Sequence, residues 1–275
     1  MAATHWIQVS TSKSKAKNPP TIESWLPRLM GLSEFTKMVT SNDPRSFQVS
    51  PAHWLRSSGL RLIPLMVYFH GGGFCVGSAS WSCYHEFLAK LASRLSCAVV
   101  SVNYRLAPEN PLPAAYDDGV KALVWLTQQN FVRGNDWWTS KCDFSSIFLA
   151  GDSAGANIAY NVALRPPRSA LTLAARPTYW RLSLPSGANR DHPWCNPAAK
   201  GAEELRSLRV MVCISEMDIL RDRNLELCGN LRSKGVKVEE WVCKGVGHAF
   251  QFNKSALSQS RVLELICHIN NFMGR

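Results

Sequence analysis

The sequence predicts an α/β protein with a mostly parallel sheet and helices on both faces. From about residue 62 onward, short apolar runs of strand composition alternate with segments whose apolar residues recur at helical spacing. This alternation is typical of βαβ units, which bury a parallel sheet between two layers of helices. The chain has 275 residues, 46% of them hydrophobic, which fits one large domain whose core needs neither disulfides nor a metal.

Each predicted element follows from a local pattern. "LIPLMVYF" is a continuous apolar run of strand length, which favours a strand buried on both faces. In the next segment the apolar residues between Phe87 and Leu95 recur at helical spacing, and Pro166 stops the helix that begins near residue 155. The predicted strands cover residues 62–69, 97–102, 145–150, 209–215 and 236–243, and the predicted helices cover 81–95, 114–129, 155–165, 222–235 and 260–272.

Two regions do not follow the alternation. Residues 1–60 show neither clear alternation nor a strong helical face, and we predict an atypical, partly disordered N-terminal segment there. Its Ser-, Thr- and Lys-rich start is interpreted as a disordered tail rather than as a transit peptide. Residues 61–275 are predicted to form the α/β domain, in which residues 166–208 are an irregular, lid-like segment with "SALTLAA" as its strand-like piece.

Charge, hydropathy and cysteine usage exclude several classes of protein. The net charge of +11 comes from dispersed Lys and Arg residues, which favours a generally basic surface over a nucleic-acid site. No apolar run is long enough to span a membrane, and the N-terminus lacks the apolar region of a secretory signal. Nine cysteines without a C-x-x-C pair indicate reduced thiols. We expect a cytoplasmic protein, with the nucleus as a second location, and no nucleic-acid partner.

The segment "FLAGDSAGANIA" carries a candidate nucleophile, Ser153. Residues 151–155, "GDSAG", fit the pattern G-x-S-x-G between a predicted strand and a predicted helix, which is the context that a nucleophile elbow requires. The turn is so tight that the residues flanking the serine must be small, and the helix N-terminus favours developing negative charge. The alternative interpretation is an ordinary strand-to-helix turn.

A serine hydroxyl needs a base before it becomes a good nucleophile. We assign His248, in "KGVGHAF", because it follows the last predicted strand. It also completes the chain order Ser, acid, His that is typical of hydrolases with a nucleophile elbow. Asp218, at the end of the preceding strand, is the candidate acid that orients the imidazole. Asp222 is the reserve candidate, although its position is more typical of the first turn of a helix. The remaining histidines are interpreted as structural: His5, His53, His70, His85, His192 and His268.

Three consecutive glycines, residues 71–73, follow the first predicted strand of the domain. Backbone N–H groups aimed at a developing oxyanion stabilise acyl transfer, and glycine lets them approach closely because no Cβ intervenes. We assign Gly72, Gly73 and Ala154 as the donors of an oxyanion hole, with Gly71 shaping its loop. Phosphate binding is disfavoured because no G-K-[ST] follows and the next residues are apolar.

Five segments together resemble the plant carboxylesterases of the hormone-sensitive-lipase-like group of α/β-hydrolases, which also contains the gibberellin receptors. The resemblance is carried, in this order, by "HGGGFCVGSA", "SVNYRLAPENPLPAAYDDG", "GDSAGANIA", "SEMDIL" and "KGVGHAF". It implies an α/β-hydrolase fold and the triad Ser153, Asp218 and His248. It also implies hydrolysis of small carboxylic esters through an acyl-enzyme, without a cofactor or a metal.

The chain departs from this group in two places. Residues 1–60 do not resemble the N-terminal strands of the group, and the segment after Arg165 is too short for both the strand and the lid that group members have there. The missing strand belongs between the Ser153 strand and the Asp218 strand, and its loss would leave ladder groups unpaired. Either residues 169–175 form a shortened strand, or the chain is a shortened product with intact motifs and a damaged scaffold.

Hydrolysis of a small-molecule ester is the expected function. The alternatives are a receptor-like or cyclase-like relative that uses the pocket without hydrolysis, and an inactive truncated form. His248 favours the enzyme, because the gibberellin receptors of this group lack the triad histidine. The sequence carries no signal for an oligomeric state.

Overall fold

The computed structural model describes residues 4–10, 36–38, 62–129, 142–164, 192, 194 and 201–274, the first two ranges by their backbone. The strands are β1 (Thr4–Ser10), β2 (Thr36–Met38), β3 (Ile63–Phe69), β4 (Ala98–Val102), β5 (Cys142–Gly151), β6 (Arg209–Ser215) and β7 (Lys237–Cys243). The α-helices are α1 (Ser82–Leu95), α2 (Ala114–Gln129), α3 (Ala154–Ala163), α4 (Arg221–Ser233) and α5 (Ala256–Phe272). Two short 3₁₀ helices cover Ala202–Leu205 and Phe250–Phe252.

The described strands form one sheet in the order β2-β4-β3-β5-β1-β6-β7. β3 runs parallel to β4 and β5, and β6 runs parallel to β7. β1 is antiparallel to both β5 and β6, so β6 and β7 run in the same direction as β5. β2 is antiparallel to β4 at the other side of the sheet. Five strands therefore share one direction, which confirms the predicted, mostly parallel sheet.

Helices cover both faces of the sheet, as predicted. Leu65, Val67 and Phe69 point to one core, which α2, α3 and α4 complete. Met66 and Tyr68 point to the opposite core, which α1 and α5 complete. Each of these five side chains is fully buried. A strand covered on both faces needs apolar residues at every position, which is why β3 has a continuous apolar sequence.

Local sequence signals explain where several elements begin. Pro64, which lacks an N–H group, lies where the pairing of β3 with β5 shifts register, so the missing donor interrupts the ladder near its end. α5 begins at Ala256 rather than at residue 260, because the Ser255 side chain caps it by accepting the Ser258 N–H group at 3.2 Å. β5 begins at Cys142, three residues before the predicted start.

The sheet position expected to lack a strand is occupied by β1. This strand comes from the N-terminal region, where the sequence analysis predicted no strand, and β2 comes from the same region. β1 pairs with β5 from His5↔Gly151 to Ser10↔Ser146, and with β6 from Thr4↔Cys213 to Gln8↔Arg209. The alternative occupant, residues 169–175, lies outside the described residues, as do most of the N-terminal segment and most of the lid-like segment. The ladder therefore continues without a gap from β5 to β7.

The described helices are too short or too polar to cross a bilayer. Among the described residues, α5 is the longest helix at 17 residues, and it carries both Arg261 and Glu264. No helix in this part of the chain has the length and apolarity that a membrane span requires.

Replacing Gln8 with proline tests whether β1 completes the sheet. Proline removes an N–H group from a strand that pairs on both sides, so a buried acceptor loses its donor, which costs about 1–3 kcal/mol. We expect Gln8→Pro to lower the free energy of unfolding by at least that amount in urea denaturation followed by circular dichroism. Gln8→Ala, which keeps the N–H group, is the control and is expected to be much milder. Equal stability of the two variants would contradict the pairing of β1.

Candidate active site

Four loops that carry the predicted site residues meet at one edge of the sheet. β3, β5, β6 and β7 run in the same direction, so their carboxyl ends lie at the same edge. β3 ends directly before the glycine loop, residues 70–78, and β5 ends two residues before Ser153. β6 ends three residues before Asp218, and β7 ends five residues before His248. Parallel strands thus bring together side chains that are far apart in the sequence.

Ser153 lies in a strained turn between β5 and α3. Its φ is 51° and its ψ is −122°, a conformation that costs a non-glycine residue about 1–3 kcal/mol. The two flanking glycines are required sterically. A Cβ at Gly151 would lie 2.4 Å from the Gly155 carbonyl carbon, and a Cβ at Gly155 would lie 1.9 Å from the Phe69 carbonyl oxygen. The turn is therefore pressed against the end of β3, next to the glycine loop.

Hydrogen bonds connect Ser153, His248 and Asp218 in one chain. His248 Nε2 lies 3.1 Å from Ser153 Oγ, and His248 Nδ1 lies 2.8 Å from Asp218 Oδ2. The Asp218 side chain is 5% exposed, whereas the His248 side chain is 42% exposed, so the acid is enclosed and the base faces the solvent side. When Nδ1 donates its proton to Asp218, Nε2 can accept the Ser153 hydroxyl proton. This is the geometry that the sequence-based assignment requires.

The reserve acid, Asp222, takes a different role. Asp222 lies in the first turn of α4, where a negative charge interacts favourably with the positive end of the helix dipole. Its side chain is 91% exposed and lies 3.7 Å from Arg221. The structure therefore pairs His248 with Asp218.

Backbone contacts hold the acid loop and the histidine loop together. The N–H groups of Glu216 and Met217 donate to the carbonyl groups of Cys243 and Val246 at 2.9 Å and 3.0 Å. Asp218 Oδ1 accepts the Leu220 N–H group at 2.9 Å, which leaves Oδ2 to face His248. Because both loops are fixed by backbone atoms, the Asp218–His248 distance does not depend on side-chain packing alone.

The partner carboxylate tunes the basicity of His248. The hydrogen bond to Asp218 raises the pKa of the imidazole, partial burial acts in the opposite direction, and the charges of Asp218 and Asp152 add to the increase. A base with a raised pKa holds the Ser153 proton more firmly once it has accepted it. The same shift means that His248 is protonated, and unable to accept that proton, over a wider range of acidic pH.

The glycine loop presents N–H groups beside the nucleophile turn. Gly72 and Gly73 have φ values of 115° and 60°, and the Gly72 carbonyl group closes a turn by accepting N–H groups of Cys75 and Val76. A Cβ at Gly72 would lie 1.9 Å from the Val76 carbonyl oxygen. Within the described residues, the N–H groups of Gly72, Gly73 and Ala154 have no acceptor. These are the donors that the sequence analysis predicted for an oxyanion.

Gly71 differs from the other two glycines of the loop. Its N–H group donates to Asp152 Oδ1 at 3.0 Å and is therefore engaged within the protein. A Cβ at Gly71 would lie 2.5 Å from Asp152 Oδ2, so a larger residue would push the carboxylate away from this N–H group. Gly71 thus fits the predicted role of shaping the loop rather than that of a donor to an oxyanion.

Asp152 is a buried carboxylate to which the sequence analysis assigned no role. It is 3% exposed, and Oδ1 accepts the Tyr68 hydroxyl at 2.7 Å in addition to the Gly71 N–H group. Burial raises the pKa of Asp152 to about 6, while the hydrogen bonds from Tyr68 and Gly71 oppose the increase. The available signal was the acidic residue inside an apolar strand-to-turn segment, because buried carboxylates need specific partners.

The hydrogen bond to Ser153 Oγ described above comes from His248, and the other described histidines have different surroundings. His70 is fully buried, its Nδ1 lies 2.7 Å from the Gly71 carbonyl oxygen, and its ring stacks on Tyr104 at 4.3 Å. His85 lies in α1, and His268 lies in α5 against Trp241. His192 contacts Trp194, and His5 belongs to β1. His53 lies outside the described residues. Across the described residues no group of three or more His, Cys, Asp or Glu side chains is arranged to hold a metal ion.

Comparison with known proteins agrees with this architecture. A profile of the alpha/beta hydrolase fold matches residues 66–175 and 165–252. The chain is 46% identical over 252 residues to probable carboxylesterase 6 of Arabidopsis thaliana, covering 78% of this chain and 73% of the relative. It is 36% identical to a gibberellin receptor of the same plant, covering 65% and 60%. A solved esterase structure from Pyrobaculum calidifontis superimposes with a TM-score of 0.61 at 26% identity, covering 77% of each chain.

The chain therefore belongs to the α/β-hydrolase fold family. Within that family it falls in the plant group that contains carboxylesterases and gibberellin receptors, as the five sequence segments predicted.

Replacing Gly155 tests how closely the nucleophile turn packs against the end of β3. We expect Gly155→Ala to abolish esterase activity and to lower the unfolding temperature, because its Cβ would overlap the Phe69 carbonyl oxygen. Gly229→Ala is the control: Gly229 lies in α4 and a Cβ there meets nothing within 4 Å. That variant is expected to be more stable than the parent by about 0.5–1 kcal/mol. Thermal unfolding and an ester assay measure both outcomes, and an active Gly155→Ala variant would contradict the described turn.

Proposed function

We propose that this chain is a serine carboxylesterase that hydrolyses small carboxylic esters through an acyl-enzyme. The observation that carries the proposal is the hydrogen-bonded chain from Ser153 through His248 to Asp218, with the serine at a strained φ. The carboxylesterase and esterase relatives support the reaction class. We propose a small-molecule ester as the substrate, and the cytoplasm as the location, with the nucleus as a second one.

In the acylation half of the reaction, Ser153 Oγ attacks the ester carbonyl carbon while His248 Nε2 takes the hydroxyl proton. The carbonyl oxygen becomes an oxyanion, and the N–H groups of Gly72, Gly73 and Ala154 are the donors available to stabilise it. The intermediate collapses as His248 returns the proton to the departing alcohol oxygen. The acyl group then remains bound to Ser153 as an ester.

In the deacylation half, water replaces the alcohol. His248 Nε2 accepts a proton from the water as its oxygen attacks the acyl carbon, and the same N–H groups stabilise the second oxyanion. Collapse of this intermediate releases the carboxylic acid and returns the proton from His248 to Ser153 Oγ. The Asp218 carboxylate holds the imidazole in the required tautomer and stabilises its protonated form in both halves.

A receptor-like role without hydrolysis is the second candidate function. The gibberellin receptor among the relatives supports it, at 36% identity. The hydrogen bond between His248 and Ser153 favours the enzyme, because binding alone does not require an activated serine.

Labelling with a fluorophosphonate probe distinguishes these functions. Such a probe reacts with a serine that a base and an oxyanion hole activate, so we expect the purified chain to be labelled and Ser153→Ala to be unlabelled. Ser233→Ala, which removes an exposed serine of α4, is the control and should label like the parent. Absence of labelling in a folded parent chain would favour the binding function, and labelling of Ser153→Ala would refute the assignment of the nucleophile.

The pH dependence of kcat/KM tests the base and its partner. His248 must be neutral to accept the Ser153 proton, and its pKa is raised. The rate should therefore fall as the pH decreases through a midpoint above about 6.5. Asp218→Asn removes the charge that raises this pKa, so its midpoint should move to lower pH, with kcat reduced by about 10³- to 10⁴-fold. Asp222→Asn is the matched control and should keep the parent profile; a midpoint that moves in the Asp222 variant would contradict the pairing.

A further inference from the structure

The buried carboxylate of Asp152 connects two parts of the proposed site that the mechanism treats as separate. It immediately precedes Ser153 in the chain, and its Oδ1 atom accepts the Gly71 N–H group at 3.0 Å across 81 residues of sequence. The Tyr68 hydroxyl donates to the same oxygen at 2.7 Å, from the neighbouring strand β3. The nucleophile turn and the glycine loop are thus joined through one side chain.

The glycine loop is fixed in the same place by two further contacts. The Tyr104 hydroxyl donates to the His70 carbonyl oxygen at 2.7 Å, and His70 Nδ1 lies 2.7 Å from the Gly71 carbonyl oxygen. The peptide groups on either side of Gly71 are therefore both held. The next two N–H groups, of Gly72 and Gly73, are those left without an acceptor among the described residues. Their direction depends on the orientation of Gly71.

We propose that Asp152 is a positioning residue for ester hydrolysis: its carboxylate orients the oxyanion donors through the Gly71 N–H group and stabilises protonated His248 by its charge. This inference rests on the proposed esterase function and extends it to a residue outside the triad. The lack of a side chain at position 71 supports it, because a Cβ there would lie 2.5 Å from Asp152 Oδ2 and would displace the carboxylate from the Gly71 N–H group.

The charges around Asp152 determine how its role varies with pH. Burial raises the pKa of Asp152 to about 6, and the Tyr68 hydroxyl, the Gly71 N–H group and the charge of His248 oppose that increase. The Tyr84 hydroxyl of α1 lies 3.5 Å from Oδ2, and Tyr104 also senses the charge. Burial raises the pKa values of all three tyrosines, so they remain neutral near pH 7. Of these groups, Asp152 and His248 are therefore the two that gain a proton in mildly acidic solution.

Two substitutions should move the acidic limb of the pH profile to lower pH, by different amounts. Asp152→Asn removes the charge that helps to raise the pKa of His248, so the limb should move to lower pH. Tyr68→Phe removes a hydrogen bond that lowers the pKa of Asp152, so Asp152 is neutral over more of the mildly acidic range. His248 then loses part of the same charge, and the limb should move to lower pH by less than in Asp152→Asn. A role in packing alone predicts neither movement.

The experiment measures kcat and KM for p-nitrophenyl acetate between about pH 5 and pH 9, with thermal unfolding to correct for the folded fraction. For Asp152→Asn we expect kcat to fall by about 10- to 100-fold with KM within about threefold, because the oxyanion donors act in the transition state. Asp143→Asn is the matched control, since it makes the same change at a half-buried position near the start of β5, the strand that leads into the nucleophile turn, and it should keep the parent kcat and profile.

The outcomes separate this inference from the function on which it rests. A folded parent chain without turnover would overturn the esterase function and this inference with it. Turnover by the parent together with a parent-like kcat and acidic limb in Asp152→Asn would overturn this inference alone. If Asp152→Asn does not fold, Tyr68→Phe decides the matter: a downward shift supports the positioning role, and an unmoved or upward-shifted limb contradicts it.

Discussion

The geometry of the candidate site depends on an unbroken hydrogen-bonded sheet. Ser153 follows β5, whereas Asp218 and His248 follow β6 and β7, and β1 lies between these two parts of the sheet. One intervening strand separates β5 from β6 by two strand spacings, roughly 9–10 Å. That separation sets how far the His248 loop must reach to bring Nε2 within 3.1 Å of Ser153 Oγ. Without β1, the backbone groups of β5 and β6 would face each other unpaired. The sheet would then no longer fix Asp218 and His248 relative to Ser153.

Close contact between backbones is the second constraint on the site. The nucleophile turn approaches the end of β3 so closely that Gly155 leaves no room for a Cβ against the Phe69 carbonyl oxygen. The same approach brings Asp152 within hydrogen-bonding distance of Gly71 and sets the glycine loop beside Ser153. Strain at Ser153 is sustained because α3 packs against both β5 and β3 around the turn. A rigid turn and a rigid loop suit oxyanion stabilisation, which requires donors that need no rearrangement during the reaction.

Sequence patterns predicted the parts of the fold whose cause is local. β3 was predicted because it is apolar at every position, and α2 was predicted at its observed bounds because its apolar residues recur at helical spacing. The spacing of Ser153, Asp218 and His248 after three predicted strands was sufficient to expect their meeting, since parallel strands end at one edge. β1 was not predicted: a strand of seven residues in a polar N-terminal region gives a weak local signal, and its place depends on pairing with distant strands. The role of Asp152 was missed because its partners, Tyr68 and Gly71, are identified by spatial proximity and not by spacing.

The sequence by itself determined the chemistry available to this protein: a serine in a turn that tolerates small neighbours, a histidine and an acid in the order of the α/β-hydrolases, and glycines where backbone N–H groups must approach a substrate. These are local properties of residue type and spacing. The tertiary structure alone decided which strand fills the centre of the sheet and that Asp218 and not Asp222 contacts His248. It also decided that Gly71 donates to Asp152, while the N–H groups of Gly72 and Gly73 have no acceptor among the described residues. The physical reason is that hydrogen-bond partners in a sheet and across loops are selected by distance in space, where every donor competes for the nearest acceptor.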